Sequence, residues 1–175
     1  DISERVLETV ERVAVVAAED TRHSRKLLAH YGIGTPLLAL HEHNEREQTQ
    51  TLLARLADGE DVALISDAGT PLISDPGYGL VRLCREQAIE VVAVPGPSAL
   101  IAALSVSGLP TDRFRFEGFL PRRQHARVAH LESLRNETVT LVFYESSHRI
   151  VDALQDMLEV FGASRRAVLG RELTK

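Results

Sequence analysis

A chain of 175 residues, 44% of them hydrophobic, has room for one full domain or for one and part of another, with enough apolar material for a core. Its single cysteine, Cys84, excludes an internal disulfide framework. No apolar run approaches the ~20 residues of a membrane span. The net charge of −5 argues against a nucleic-acid coat protein held by bulk charge, yet 18 of the 20 basic residues are Arg, with Lys only at 26 and 175. Arg suits planar, bidentate contacts to phosphate, although a GC-rich genome produces the same bias. The lone thiol and the lack of a secretory signal at the start lead us to expect a cytoplasmic protein.

Ser3 is placed to cap a first helix whose apolar face is Val6, Leu7, Val10 and Val13. Ala14 to Ala18 then read as a short apolar strand that stops at Glu19-Asp20-Thr21-Arg22. Asp20 or Thr21 can cap the helix that follows, from Arg22 to Tyr31, while Glu19 and Arg22 are left without a structural task. Pro36 to Leu40 predict a second strand ending in His41-Glu42-His43-Asn44-Glu45, where Asn44 and Glu47 have capping-box spacing for a helix from Glu45 to Ala57. His41 and His43 point to opposite faces if extended, and no third His or Cys is spaced to complete a metal site, so no metal is expected. The run reads either as polar surface or as contacts to a polar substrate.

Asp61 to Ile65 predict a third strand, and after it the chain enters Ser66-Asp67-Ala68-Gly69-Thr70-Pro71-Leu72-Ile73-Ser74-Asp75-Pro76-Gly77. Small residues let a ligand approach the backbone, Gly69 and Gly77 can take positive φ, and the Asp and Ser side chains can bind hydroxyls or amides. In an open α/β sheet such a loop lies beyond the carboxyl ends of the strands, where ligands bind. A helix from Tyr78 to Gln87, with Cys84 as a buried small hydrophobe, leads to a strand from Val91 to Val94 and a second tight turn, Pro95-Gly96-Pro97-Ser98-Ala99. A small-residue helix follows to Val106. Alternating strands and helices at this spacing imply a mostly parallel sheet with helices on both faces.

Ser107 to Thr111 read as a domain boundary, giving an N-terminal α/β domain over 1–108 and a C-terminal α/β domain over 109–175. Arg113 to Phe119 alternate as a half-buried strand with Phe side chains in the core. Pro121-Arg122-Arg123-Gln124-His125-Ala126-Arg127 concentrates positive charge at the start of a helix to about Leu134. Helix-dipole logic disfavours that placement, so it reads as a phosphate-binding patch or as a solvated face. Thr138 to Phe143 predict a strand before Tyr144-Glu145-Ser146-Ser147-His148-Arg149. A helix from Ile150 to Phe161 then closes at Gly162, and Arg166 to Leu173 predict a last strand.

Six segments in order now resemble one family: Ala18 to Arg22, His41 to Glu45, Ser66 to Gly77, Val94 to Ala99, Phe143 to Arg149, and Arg171 to Lys175. They are similar to the RsmI-type small-subunit ribosomal RNA 2′-O-ribose methyltransferases of the tetrapyrrole methylase superfamily. Each motif alone is weak; together they span essentially the whole chain. The resemblance implies two α/β domains with S-adenosylmethionine in the cleft between them, a homodimer, and methylation of a cytidine ribose in the decoding region of 16S rRNA in the small ribosomal subunit. It also implies an opening strand before Asp1 and further strands after Lys175, so that the chain reads as trimmed at both ends.

By the same resemblance the cofactor would meet Asp67, Ala68, Gly69, Thr70, Ile73, Ser74, Asp75, Pro95, Gly96, Ser98 and Ala99, with Tyr144 and Glu145 from the second domain. Arg22, His41, Glu42, His43, Asn44, Glu45, Arg122 and Arg123 would face RNA. A ribose hydroxyl is a poor acid, and Glu19, Asp20, Glu145 and His148 are the candidate bases. Other readings are a methylase acting on a tetrapyrrole, which would share the loops at 67–75 and 95–99, and a non-catalytic RNA-binding module. An aspartyl phosphatase is disfavoured because Gly69 stands where that chemistry wants a second Asp.

Overall fold

The computed structural model describes residues 2–174. Contacts divide the chain into a first unit ending at Ser98 and a second beginning at Ala99. The helix after the second turn therefore groups with the second unit, whereas the composition shift at 107–111 would leave it with the first.

In the first unit, α1 (Glu4–Arg12) begins at Ser3, whose hydroxyl accepts a hydrogen bond from the Val6 amide at 3.4 Å. It runs into β1 (Val15–Ala18), then α2 (Thr21–His30), β2 (Leu37–Ala39), α3 (Glu45–Ala57), β3 (Val62–Ile65) and α4 (Tyr78–Glu86). The three strands are parallel in the order β2-β1-β3. The central strand is fully buried along its length, as a strand covered on both faces must be. One layer of core sets Val15, Ala17, Leu40, Leu52, Leu53, Leu80 and Cys84 together; the other sets Val10, Val16, Leu28, Ile33 and Ala63 together. Cys84 is buried in the first layer, and burial pushes its thiol pKa up.

Val91 to Val94 do not form the expected strand. The segment forms no strand ladder with a neighbour among the described residues, so it is irregular, with Val92 exposed and Val91 packed on the core. The same correction applies to Arg166 to Leu173, which is irregular.

In the second unit, α5 (Ala99–Ser107) precedes β4 (Phe114–Phe119), α6 (Gln124–Ser133), β5 (Thr140–Tyr144) and α7 (Ile150–Phe161). β4 and β5 are parallel, with a register shift between Phe116 and Gly118, where Gly118 takes φ +67°. The core here is Leu120, Leu131, Ala153 and Val160, with Phe143, Met157 and Phe161 against it. The Phe residues of β4 are not the core that alternation suggests: Phe114 and Phe119 are exposed, and Phe116 and Phe119 instead pack edge-on against Tyr144 at 4.9 and 5.5 Å. With only two strands paired, an apolar strand face has less to pack against than the pattern assumes.

Candidate functional site

The register of the first sheet sets the site. Ala18 pairs with both Ala39 and Ile65, so β1, β2 and β3 end level, and the polar runs that follow them emerge side by side. Glu19, after the central strand, lies among Asp75, Asp67, Glu42 and His41. Partial burial raises its pKa, the three carboxylates raise it further, and His41 opposes them. Glu19, Asp20, Thr21, Arg22, Ala39, His41 and Asp67 line an open depression of about 450 Å³ at this edge.

Asp20 is the N-cap of α2, its carboxylate accepting the Arg22 amide at 2.8 Å, and the Arg22 side chain forks onto the same carboxylate at 3.1 and 2.9 Å. These bonds pull the Asp20 pKa down to about 2. Asp67 reaches across to accept the Asp20 amide at 3.1 Å, tying the end of β3 to the end of β1. Burial raises the pKa of Asp75, the Asp67 charge adds to that, and the nearby Ser66 hydroxyl works against both.

The loop from Asp67 to Gly77 holds more strain than its composition announces. Gly69 and Gly77 have φ of +94° and +119°, as expected, but Leu72 and Ser74 also sit at +71° and +68°. A Cβ on Gly77 would lie 2.5 Å from the Leu64 side chain, so only glycine fits there. Ala68, Gly69, Thr70, Ile73 and Ser74 are exposed, and Asp75 is half-buried. Thr70 Oγ1 donates to the Pro97 carbonyl at 3.4 Å, joining this loop to the second turn, in which Pro95 and Gly96 are exposed and Ser98 half-buried.

Within the 41–45 run the side chains divide. Glu42 and His43 are exposed, and the rings of His41 and His43 meet edge-on at 6.0 Å. Asn44 occupies the N-cap of α3 but makes no capping bond. Its carbonyl oxygen accepts the His41 amide at 2.8 Å and its amide donates to the Ala39 carbonyl at 3.0 Å, so the capping box with Glu47 is not formed. The side chain closes the turn after β2 instead. Glu45 also turns inward, to the amides of Gly77 and Gly79.

The second unit has its own cluster at the carboxyl ends of β4 and β5. The Glu145 side chain is largely covered; its Oε1 accepts from the Ser146 amide at 2.7 Å and from Arg149 at 2.5 Å. Its Oε2 is buried with no hydrogen-bond partner among the described residues. Arg149 also donates to the Leu120 carbonyl at 3.2 Å, which joins the two strand ends. The Tyr144 hydroxyl accepts the Leu100 amide, at 3.3 Å, in the first turn of α5, whose first residue is the exposed Ala99. His148 is exposed, as are Arg122 and Arg123, which carry no ion pair among the described residues.

The third arginine of that basic cluster behaves differently. Arg127 is buried and paired with Asp156 at 2.5 Å, while Gln124 donates to the other Asp156 oxygen at 3.0 Å. Burial alone would raise the Asp156 pKa, but Gln124 and Arg127 outweigh it and hold it low. The signal was in the sequence: Asp156 stands between Ala153 and Val160 on the apolar stripe of α7, where a lone charge requires a partner.

The family model for tetrapyrrole (corrin/porphyrin) methylases matches residues 1–175. The ribosomal RNA small subunit methyltransferase I of Pseudomonas aeruginosa is 60% identical over 175 residues, which is all of this chain and 62% of that protein. The proteins of the same name from Haemophilus influenzae and Synechocystis are 57% and 50% identical over the same 175 residues, 62% and 63% of their lengths. The chain therefore spans a little over three-fifths of these relatives. Among solved structures, the cobalamin biosynthetic enzyme cobalt precorrin-4 methyltransferase has the same fold, with a TM-score of 0.63 and 19% identity over 93% of this chain and 70% of that one.

Proposed function

Because the chain belongs to the tetrapyrrole methylase family, we propose that it serves S-adenosylmethionine-dependent 2′-O-methylation of a cytidine ribose in the 16S rRNA decoding region, in a cytoplasmic homodimeric enzyme acting on the small ribosomal subunit. The observation that carries this reading is the level ending of β1, β2 and β3 beneath a loop of exposed small residues at 67–77, joined through Thr70 to the turn at 95–98. Identity of 50–60% to the rRNA methyltransferases favours an RNA ribose over a tetrapyrrole as substrate.

The residues suit the cofactor's chemistry. S-adenosylmethionine is a sulfonium cation with an ammonium group, and the edge formed by Glu19, Asp67 and Asp75 is rich in carboxylates; burial and neighbouring carboxylates raise the pKa of Glu19 and Asp75, so a nearby positive charge would be favourable. In the first unit we assign the backbone of Ala68, Gly69, Ile73, Ser74, Pro95 and Gly96 and the side chains of Asp67, Thr70, Asp75 and Ser98 to the cofactor, and in the second unit the backbone of Ala99 with Tyr144 and Glu145. When bound, the sulfonium supplies a methyl group that is already activated, so the chain's own task is to hold the ribose oxygen in line and to exclude water.

Of the four candidate bases, Asp20 is the poorest, since Arg22 holds it ionised down to about pH 2. Glu145 is bound to Arg149, and His148 is exposed. Glu19 faces the depression with a pKa raised by burial and by the neighbouring carboxylates, which makes it a stronger proton acceptor than an ordinary carboxylate, and it is the base we favour. For RNA we assign Arg22, His41, Glu42 and His43 at the first edge and Arg122 and Arg123 at the second.

The test is calorimetric titration of S-adenosylmethionine into the full-length protein, followed by mapping of the methylated nucleotide on subunits from a deletion strain. Binding, with one cytidine ribose methylated only when the protein is supplied, is the expected result. Absence of binding would leave the fold and an RNA-contact role alone.

A further inference from the structure

The first residue of α3 has a task its sequence position does not announce. Glu45 Oε1 accepts hydrogen bonds from the backbone amides of Gly77 and Gly79, at 3.1 and 3.0 Å. These are the N-cap and second residue of α4, and Gly77 has no side chain with which to cap its own helix. A carboxylate from another helix takes that place, where charge complements the helix dipole and bonds to a charged acceptor are the stronger kind. The surroundings allow little else: a Cβ on Gly79 would stand 3.3 Å from the same oxygen, and one on Gly77 would strike Leu64.

The loop that enters α4 through Gly77 carries Leu72 and Ser74 in left-handed conformations, which persist only where the ends of the segment are held. Asp67 holds one end through the Asp20 amide, and Glu45 holds the other. We propose that Glu45 is a positioning residue, which fixes the conformation of the 67–77 loop by capping α4 from outside, and is not a contact to RNA. Its link to ligand binding rests on the reading of that loop as the S-adenosylmethionine site.

Three variants separate the alternatives. Glu45→Ala removes the acceptor, Glu45→Asp shortens it by one methylene, and Glu45→Gln keeps an acceptor oxygen at the same reach. Amide hydrogen exchange at Gly77 and Gly79 should accelerate in the Ala and Asp variants and stay near wild type in Gln. In the full chain, S-adenosylmethionine affinity should fall about tenfold or more in Ala and Asp and less than about threefold in Gln, with small-subunit affinity within about twofold throughout. Unchanged exchange in Glu45→Ala would overturn the proposal, and so would a loss of subunit affinity common to all three variants with cofactor affinity intact. If the Ala variant does not fold, the Asp and Gln pair gives the same comparison. If wild type binds no S-adenosylmethionine, the cofactor reading fails while the exchange data still decide whether Glu45 anchors the loop.

Discussion

The Asp67 carboxylate accepts the backbone amide of Asp20 at 3.1 Å, so the residue that opens the central loop is fastened to the residue that caps α2. Two strand ends are held in register by one side chain. Replacing Asp67 with Ala releases this tie and removes a carboxylate from the edge assigned to a cationic cofactor. We expect S-adenosylmethionine affinity to fall about tenfold, or about 1.4 kcal/mol, by calorimetry; a change within about twofold would remove Asp67 from the site.

Glu19 makes stability depend on pH with a definite sign. Its folded pKa lies above the ordinary 4.5, so the folded state binds the proton more tightly than the unfolded chain. The resulting stabilisation is present below about 4.5 and is lost as pH rises through the folded value. Asp75, also raised, contributes with the same sign. Glu19→Gln should therefore raise the melting temperature at pH 7 to 8 and change it least at pH 4, with the difference shrinking in high salt. A variant less stable than wild type at pH 8 would contradict the assignment of burial and repulsion at this edge.

The Arg127–Asp156 pair predicts an asymmetry between single and double substitution. Arg127→Ala leaves a buried carboxylate without its cation and should cost about 3–5 kcal/mol in urea unfolding. Substituting Met for Arg127 and Leu for Asp156 together removes both charges and should cost less than the single change, since apolar replacements of a buried pair are often neutral. Equal losses would mean that the pair itself, and not the unpaired charge, carries the energy.

Arg122 and Arg123 are exposed and without ion pairs among the described residues, as phosphate contacts should be. Replacing both with Ala should weaken subunit binding and flatten the slope of log affinity against log salt by about 1.4, from about 0.7 for each lost contact to single-stranded RNA. Unchanged affinity and slope would place them on a solvated face.

Periodicity and punctuation made the helices legible: α3 and α7 have the bounds that Asn44, Ala57, Ile150 and Gly162 suggest. The ends of β1, β2 and β3, and hence the place of the candidate site we propose, followed from polar runs directly after apolar ones. Strand state was less legible at Val91 to Val94 and at Arg166 to Leu173, because a strand is a property of two segments and only one is visible in a local pattern. Side-chain partners were the least legible. Asn44 and Glu45 have the residue types of a surface run, and only the three-dimensional return of Ala39, Gly77 and Gly79 shows both turned inward. The positive φ of Leu72 and Ser74 has no composition signal, since neither residue favours it.

The irregularity in β4 is an arithmetic device. A strand counts in twos, so Phe116 and Phe119, three apart, belong to opposite faces of an unbroken ribbon. The register shift before Gly118 absorbs one residue, pairs Phe116 with Val142 and Phe119 with Tyr144, and brings both rings to the same tyrosine. The parity of everything downstream in β4 is set by that single skipped count. Loss of the skipped residue, Glu117, would leave Phe116 and Phe119 two apart on one face of a regular strand, whereas an added residue that the ladder did not absorb would invert the outward and inward sense of the strand's end, and with it the side on which Leu120 and the arginines leave the sheet.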